Sequence, residues 1–419
     1  MKTRTFLLSM LAALCLGACS SNNDDWLTGI APESPEQPVT RHSYKPVQLN
    51  ETQLAINAKL QEFSWKLFKE VYVNRDEGTN LMISPISLEV DLGMLINGLE
   101  GETLQEVLKT MGLESFSKEQ INDYFKTMMT GIEKADEAAI FKSANSFWYN
   151  ENKTANKDFL SVIQNNYNAK TEAVDFADSK TKDVINAWCA ENTNNRINKM
   201  IEETHETDAF HLMNAVYFRA SWKDKFDKYS TKQQPFYYAN GVSEMVDMMR
   251  EYASAVYVET DKYRMSLKPF VDDAFQMMFI LPKEGVEMEK VLTDDLSKNI
   301  RIQEQVRIID LVLSVPKFMS EYTEKKLYGY MNNINPSLTF LNEDINIMDN
   351  FNEFNSMSAM QKTFFVMDED GAESAAVTNN TSTTTSVTEV VFMNLDRPFF
   401  YAIVESNTQC PLFIGYYGN

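Results

Sequence analysis

The side chains that enzymes use for catalysis are present, but few of them occur in patterns that could support catalysis. The chain has three histidines, His42, His205 and His211. His205 lies among acidic residues and is expected in a solvated turn, and His211 is expected at the start of a strand. No Gly-x-Ser-x-Gly, His-Glu-x-x-His, Walker or Gly-x-Gly-x-x-Gly motif occurs. No constellation of these residues supports an enzyme, a metal site or a bound cofactor, although an enzyme is not excluded on this ground.

The composition indicates an acidic protein with enough hydrophobic residues to form a large core. The 419 residues include 60 acidic and 39 basic side chains, a formal net charge of −21, and 44% are hydrophobic. This charge argues against nucleic acid as a partner, because phosphate backbones reward clustered Lys and Arg. Of the four cysteines, Cys189 and Cys410 belong to the body of the chain and are expected as unpaired thiols.

The first 19 residues have the pattern of an export signal. Lys2 and Arg4 precede an apolar run at 6–16 that is too short to span a bilayer as a mature helix. The segment 16–19, Leu-Gly-Ala-Cys, resembles the lipobox of bacterial lipoproteins, which implies lipidation of Cys19 and an anchor at the outer membrane or cell surface. An ordinary signal peptide cut just before this cysteine is the alternative.

The rest of the chain predicts a tether followed by one α+β domain. Residues 20–48 contain four prolines among polar residues and are expected to be flexible. From 49 to 419 no repeat or second linker interrupts the pattern. Ser84 followed by Pro85 predicts a helix start, with serine as the N-cap. Buried strands are predicted at 139–149, 210–218 and 275–281, and three more at 390–393, 399–404 and 412–417.

Six segments in sequence order together carry a family resemblance. They are Asn80–Ser87 with Gly98–Thr103, Asn214–Trp222, Pro235–Phe236 with Met248–Met249, Pro316–Phe318, Glu369–Ala376, and Asp396–Phe400 with Pro411–Gly415. Together they resemble the serpin family of serine protease inhibitors. The resemblance implies a single α+β domain with three β-sheets, about nine helices and an exposed reactive-centre loop at about 371–391.

The resemblance implies a hinge at the start of this loop. Its residues are Glu369, Gly371, Ala372, Glu373, Ser374, Ala375 and Ala376. Alternate side chains of a strand face opposite ways, so the small residues Ala372, Ser374, Ala376 and Thr378 can face a core while Glu373 faces away. No proline between Gly371 and Arg397 prevents strand pairing. A flexible surface loop of small residues is the alternative.

Two further clusters are implied under the point where the sheet opens. Ser84, Ser87 and Asn214 resemble the shutter, and Trp222 resembles the breach tryptophan. Serpins usually carry a histidine where this chain has Gln361, whose amide can both donate and accept a hydrogen bond. A link from Gln361 to the serines and to Asn214 is therefore expected. Capping and backbone satisfaction are the alternative roles.

The loop also predicts the class of protease it attracts. Family spacing places the scissile bond at Thr385-Ser386, and counting back from Pro398 places it at Val387-Thr388. No Lys or Arg occurs from 372 to 396, so a trypsin-like pocket finds no cation to bind. Small residues suit elastase-like or subtilisin-like serine proteases, and cysteine proteases are a further candidate class.

Two functions remain open at this point. The first is a monomeric suicide inhibitor that traps its target as a covalent acyl complex when the cleaved loop inserts into the main sheet. The second is a non-inhibitory protein that uses the same fold for binding.

Overall fold

A computed structural model describes residues 43–293, 296, 307–340, 344–349, 361–372 and 390–419. These residues contain seven α-helices and two hydrogen-bonded β-sheets. All of them belong to one compact unit. The α+β architecture predicted from the sequence is confirmed.

The helices begin where capping side chains favour a start. Asn50 and Gln53 form a reciprocal capping box at the first helix, and Ser117 begins the fourth in the same way. Gly112 ends the third helix with a φ of 73°, which costs glycine little. The helices are α1 (Glu51–Val73), α2 (Pro85–Leu95), α3 (Gly101–Met111), α4 (Lys118–Glu133), α5 (Lys157–Tyr167), α6 (Thr181–Asn192) and α7 (Leu327–Ile334).

Fifteen strands are described, and the six segments predicted as strands are all among them. The first eight are β1 (Leu81–Ile83), β2 (Ile140–Asn150), β3 (Lys170–Val174), β4 (Phe210–Ser221), β5 (Lys232–Tyr237), β6 (Ser243–Glu259), β7 (Tyr263–Pro269) and β8 (Phe275–Pro282). The others are β9 (Arg307–Pro316), β10 (Phe318–Glu324), β11 (Gln361–Met367), β12 (Gly371–Ala372), β13 (Val390–Asn394), β14 (Phe399–Glu405) and β15 (Pro411–Tyr417).

The smaller sheet has the strand order β10-β11-β12-β4-β2-β3. β2 pairs antiparallel with β4, and β10 pairs antiparallel with β11 along its whole length. The two-residue strand β12 is antiparallel to both β11 and β4, so β4 and β11 run parallel to each other. This short strand is the only described link between the two halves of the sheet.

The larger sheet has the order β1-β15-β14-β8-β7-β6-β9-β13, with β5 also paired to β6. Strand β6 is 17 residues long and pairs with β5, β9 and β7 at successive positions. Two of the three expected sheets are therefore continuous through β6 in the described residues. A long twisted strand can belong to two sheets, because different parts of its length pair with different strands.

The two faces of the smaller sheet pack against different cores. Phe218 and Ala220 of β4 belong to the main hydrophobic core. Met213 and Ala215 of the same strand belong to a second cluster, which includes Trp188 of α6. Helix α2 lies in the main core and is buried along its whole length. Successive side chains of β4 thus point alternately into the two cores, as expected for a strand covered on both faces.

Three local predictions have mixed outcomes. Pro85 is the first residue of α2 as predicted, but the Ser84 side chain makes no capping hydrogen bond. Its backbone N–H is instead bound by another side chain, described below. Cys189 and Cys410 are both buried and unpaired, as predicted.

The end of the predicted tether packs against the domain. Val47 is buried beside Gly131 of α4, and the Tyr44 hydroxyl donates to the buried Glu405 carboxylate. The ordered body therefore starts before residue 49, because these apolar and polar contacts fix the segment. Within the described part of the chain, no helix combines the length and the apolar character that crossing a bilayer requires.

Candidate functional site

The base of the predicted loop is inserted into the top of the smaller sheet. Gly371 pairs with Ser221, and Ala372 pairs with Ala220 on one side and Met367 on the other. Ala372 is 1% exposed and lies in the main core, as the predicted alternation requires. The predicted loop is thus paired within the sheet at its first two residues, Gly371 and Ala372.

Residues 373–389 of the predicted loop lie outside the described residues, as does the predicted lipidation site Cys19. They include Glu373, Ser374, Ala375 and Ala376 of the hinge and both alternative reactive bonds, Thr385-Ser386 and Val387-Thr388. Their roles stay predictions.

Gly371 is required by the close approach of the hinge to β4. Its φ is 152°, which side-chain-bearing residues rarely adopt. A Cβ atom there would lie 2.2 Å from the Ala220 carbonyl oxygen and 2.7 Å from the Ser221 Cα. Both obstacles are backbone atoms, so no side-chain rotation can relieve the clash.

Two buried acids at the start of the hinge, Glu369 and Asp370, are paired with lysines and define the hinge base. The Asp370 carboxylate accepts from Lys225 at 3.1 Å and from Lys228 at 2.7 Å. The Lys228 pKa is raised, first of all by its hydrogen bond to Asp370. Glu369 accepts from Lys317 at 3.0 Å, and the Thr231 hydroxyl also donates to it. These pairs hold the hinge base in place.

A third acid, Asp368, shapes the turn between β11 and β12. One of its carboxylate oxygens accepts from the backbone N–H groups of Asp370 and Gly371, at 2.8 and 3.1 Å. Burial raises the pKa of this carboxyl to about 6, and the charges of Asp370 and Glu369 add to the effect. The turn thus holds a carboxyl that titrates close to neutral pH.

Trp222 joins this turn to the end of β4. Its indole N–H donates to the Asp368 carbonyl oxygen at 2.9 Å, and its backbone N–H donates to the Asp370 carbonyl oxygen. Its ring stacks on Phe270 at 4.4 Å with nearly parallel planes, and the buried Lys268 ammonium lies 5.2 Å from the ring centre. The predicted breach tryptophan therefore contacts the hinge base directly.

The predicted shutter residues form two separate hydrogen-bonded groups. The Gln361 amide accepts from the Ser84 backbone N–H at 2.6 Å and donates to the Ser84 carbonyl oxygen at 2.8 Å. Asn214 instead donates to Ser143 and Asn145. The Ser87 backbone N–H donates to the Ser84 carbonyl oxygen.

The expected single shutter network is thus only partly present. Gln361 is hydrogen-bonded to the backbone of Ser84 but not to Asn214. The Ser84 hydroxyl and the Asn214 side-chain oxygen are buried without a hydrogen-bond partner in the described part of the molecule. Unsatisfied buried polar atoms are costly, so a polar group that reached these two atoms would stabilise the structure.

Below Ala372 no described strand joins the two halves of the sheet. From Phe210 to Arg219, β4 has no described strand partner on the side facing β11. From Gln361 to Val366, β11 has no described strand partner on the side facing β4. We call this opening the gap; the hinge base forms its upper end, and Gln361 and Ser84 lie at its lower end.

Comparisons with known proteins agree with this geometry. The family described as "Serpin (serine protease inhibitor)" matches residues 58–419. The chain belongs to the serpin family. Alpha-1-antiproteinase of Rattus norvegicus is 26% identical over 422 residues, which cover 97% of this chain and 96% of that protein. Antitrypsin of Bombyx mori is 28% identical and covers 81% of this chain and 88% of that protein.

Solved structures show the same fold. The native-state crystal structure of the thermophilic serpin tengpin has a TM-score of 0.78 and 29% identity, covering 91% of this chain and 97% of that chain. Human thyroxine-binding globulin, solved in complex with its ligand, also has a TM-score of 0.78, at 21% identity. Serpins that inhibit proteases and serpins that carry ligands therefore share this scaffold.

The lysines that pair with the hinge acids were not predicted from the serpin segments. Lys225 and Lys228 follow Trp222 in the run Lys-Asp-Lys-Phe-Asp-Lys, and Lys317 lies in the segment that carries part of the resemblance. Three consecutive acids at 368–370 are the signal that could have indicated cationic partners, since adjacent buried carboxylates need compensation. The described residues contain no cluster of three or more potential metal-ligating side chains.

Proposed function

We propose that this serpin is a suicide inhibitor of serine proteases with elastase-like or subtilisin-like preference, and that cysteine proteases of the same preference are a further target class. The observation that carries the proposal is the gap between β4 and β11, with Gly371 and Ala372 already seated at its upper end. A sheet whose described strands leave two inner edges without a partner can accept one more antiparallel strand, and serpin loops insert in this way.

The register at the upper end predicts where each loop residue goes. Each further residue along the loop pairs one residue further back along β4 and β11. Continuing the pairing of Ala372 with Ala220 and Met367 brings Thr378 between Asn214 and Gln361. We propose that the Thr378 hydroxyl then donates to the orphaned Asn214 oxygen at the lower end. Insertion would thereby satisfy a buried oxygen that has no hydrogen-bond partner among the described residues.

The same register suits the single charge of the inserting segment. Glu373 would pair opposite Arg219, with its side chain on the face away from the main core. Opposite charges directly across a strand pair stabilise the pairing. Ser374 would pair opposite Phe218 and face the main core, which a small side chain permits.

The inhibitory step uses the chemistry of the protease, not of the serpin. The protease nucleophile attacks the Thr385 carbonyl, an ester forms with the enzyme, and Ser386 leaves as the new amino terminus. Insertion then competes with hydrolysis of the ester. Because the driving force is the strand pairing gained on insertion, the uncleaved protein would be kinetically trapped in its native state.

We further propose export and anchoring through Cys19. The lipobox-like segment supports a lipid anchor at the outer membrane or cell surface, with residues up to about 43 as the spacer to a monomeric inhibitor domain. Mass spectrometry of the purified native protein tests this directly. A diacylated N-terminal Cys19 is expected, and an unmodified N-terminus starting at that residue would leave an ordinary secreted serpin.

Incubation with three proteases tests the inhibitory function. We expect pancreatic elastase or subtilisin to give an SDS-resistant band at the summed mass, and intact-mass analysis to find a peptide starting at Ser386 or Thr388. Trypsin should give far less complex, because the loop offers no Lys or Arg. Cleavage in the loop without any complex would contradict inhibition and favour the ligand-binding alternative.

A further inference from the structure

A buried ion pair joins β6 and β7 beside Trp222. Lys268 of β7 is 4% exposed, and its ammonium donates to the Glu251 carboxylate of β6 and, at 2.8 Å, to the Asp224 carbonyl oxygen. The ammonium also lies 5.2 Å from the ring centre of Trp222 and 4.4 Å from that of Phe226. A buried cation is costly unless it is paired, and these four contacts compensate for that cost.

Lys268 fixes the segment that follows β4. This strand ends at Ser221, so residues 222–226 are held by individual contacts rather than by a regular strand ladder. Lys268 supplies three of these contacts, one to a carbonyl oxygen and two to aromatic rings. Backbone contacts to Pro269 and Phe270 supply two more. We call residues 222–226 the Trp222 segment.

The Trp222 segment also holds the turn from which the loop starts. All three carbonyl oxygens of residues 368–370 accept hydrogen bonds from it. The backbone and indole N–H groups of Trp222 donate to two of them at 2.9 Å, and the backbone N–H of Phe226 donates to the third at 3.1 Å. Gly371 and Ala372, which pair within the sheet, follow this turn directly. A fixed turn therefore keeps these two residues in register.

We propose that Lys268 is a positioning residue for loop insertion, which holds the Trp222 segment so that the first inserted residues stay paired in the uncleaved protein. This rests on the proposed inhibitory function and adds to it the residue that prepares the first step. Insertion competes with hydrolysis of the ester, and a strand whose first pair is in place has less conformational entropy left to lose. Without the ammonium, the turn and Ala372 should fray, and more protease should escape.

A buried ion pair can also act on stability alone, and variants separate the two roles. Lys268→Met leaves Glu251 buried without its cation, which would destabilise the protein whatever else Lys268 does. The double variant Lys268→Met with Glu251→Met removes both charges, a change that is often neutral for stability. It still lacks a cation beside the two rings. Lys268→Arg, in contrast, keeps the cation and can still pair with Glu251.

The measured quantity is the number of inhibitor molecules consumed per trapped protease, with pancreatic elastase and subtilisin. The double variant should consume about 5-fold more than the wild type, because slower insertion changes the competition with hydrolysis. The rate at which the loop is attacked should not change, and Lys268→Arg should restore most of the wild-type ratio. The matched control is Lys283→Met, which removes an ion pair with Glu259 at the last residue of β6 and should leave the ratio unchanged.

A wild-type ratio in the double variant would mean that Lys268 acts on stability alone, and the proposal would be wrong. Hydrogen exchange of the uncleaved protein separates this result from a failure of the inhibitory function. Amides of residues 368–372 should exchange about 10-fold faster in the double variant, and those of residues 143–148 in β2 should not change. Equal exchange at 368–372 would show that Lys268 does not hold the turn. If the wild type traps neither protease, the inhibitory function fails and the role of Lys268 in trapping fails with it.

Discussion

The upper and lower ends of the gap are held by different chemistry. At the upper end, the buried acids Glu369 and Asp370 are paired with lysines. At the lower end, the neutral amide of Gln361 makes two hydrogen bonds to the backbone of Ser84. The upper end links the turn after β11 to lysines that follow β4 and β9, whereas the lower end links β11 to the residue before α2, and only the upper end carries charge.

Because of this difference, the two ends of the gap should respond differently to pH and salt. Ion pairs depend on protonation and are weakened by salt where solvent reaches them, whereas amide hydrogen bonds do not titrate. The Asp368 carboxyl, with a pKa of about 6, adds a titrating group at the upper end. We therefore expect the hinge base to lose stability at high salt, and also as the pH rises from about 4 to 6 and the buried Asp368 carboxyl must ionise, while the lower end stays constant.

The largest effect is expected from placing a charge in the core at the upper end. Ala372→Arg buries an unpaired cation where the wild type has a 1% exposed methyl group. Trapping should fall by at least 100-fold, while the loop is still cleaved, because insertion becomes slower than ester hydrolysis. Gel analysis of complex and cleaved product measures the ratio.

Glu373→Gln is the matched control, because this side chain would face away from the core. It should retain most of the trapping. Equal inhibition by Ala372→Arg and the wild type would show that insertion does not proceed through this register.

Removing one lysine at the upper end should be the next largest change. Lys317→Met leaves Glu369, which is 4% exposed, without its cation, and is expected to cost about 3 kcal/mol of unfolding free energy at pH 8. Lys362→Met is the control, since its ion pair with Glu321 is more exposed and should cost under about 1 kcal/mol. Urea unfolding of both variants measures the two losses of unfolding free energy. Equal losses would mean that the buried ion pair at the upper end stabilises the protein no more than an exposed pair does.

Removing the amide at the lower end tests the neutral half of the comparison. Gln361→Met keeps a similar volume but leaves the Ser84 N–H and carbonyl oxygen without this partner, at a cost of about 2–3 kcal/mol. The loss should be the same from pH 5 to 8 and at high salt. A loss that varies with pH would mean that a titrating group takes part at the lower end.

A buried acid in α2 gives the smallest expected change, of opposite sign. Burial raises the pKa of Glu89 to about 8, so the folded protein holds its proton between about pH 4.5 and 8 and stability falls as pH rises through that range. Glu89→Gln should therefore raise the unfolding free energy by about 2 kcal/mol at pH 7 and flatten its pH profile.

The Ser64 hydroxyl can hydrogen-bond to Glu89 and equally to a glutamine that replaces it. The Ser64 hydroxyl lies 2.6 Å from the Glu89 carboxyl and 2.9 Å from the Leu60 carbonyl oxygen, and it has a single proton to donate. A glutamine amide can donate to the Ser64 hydroxyl as a protonated Glu89 does. Lower stability of Glu89→Gln at pH 7 would mean that Glu89 is ionised in the folded protein.

The fold could be predicted because its signals are local. Apolar β-branched runs and the Ser84-Pro85 start correspond to described strands and to α2. Ser84 was predicted as a side-chain N-cap, but its hydroxyl makes no capping hydrogen bond, and its backbone N–H and carbonyl oxygen are bound by the side chain of Gln361, 277 residues away in sequence. No local pattern can indicate such a contact.

The charge pairs at the hinge were missed for the same reason. Lys225 and Lys228 are more than 140 residues before their partner Asp370. Lys317 is likewise far in sequence from its partner Glu369. The alternation at Ala372, in contrast, was predictable, because the side-chain period of a strand is fixed by its backbone. What the sequence could not show is that Gly371 and Ala372 are already paired before cleavage.

Thermal unfolding before and after loop cleavage tests the central claim most directly. The protein is cleaved between residues 380 and 390, the site is confirmed by mass, and both forms are heated in the same buffer. If the loop fills the gap, the cleaved form gains a fully paired central strand and its Tm rises by tens of degrees. An unchanged Tm after confirmed cleavage would contradict insertion, and with it the proposed inhibitory function.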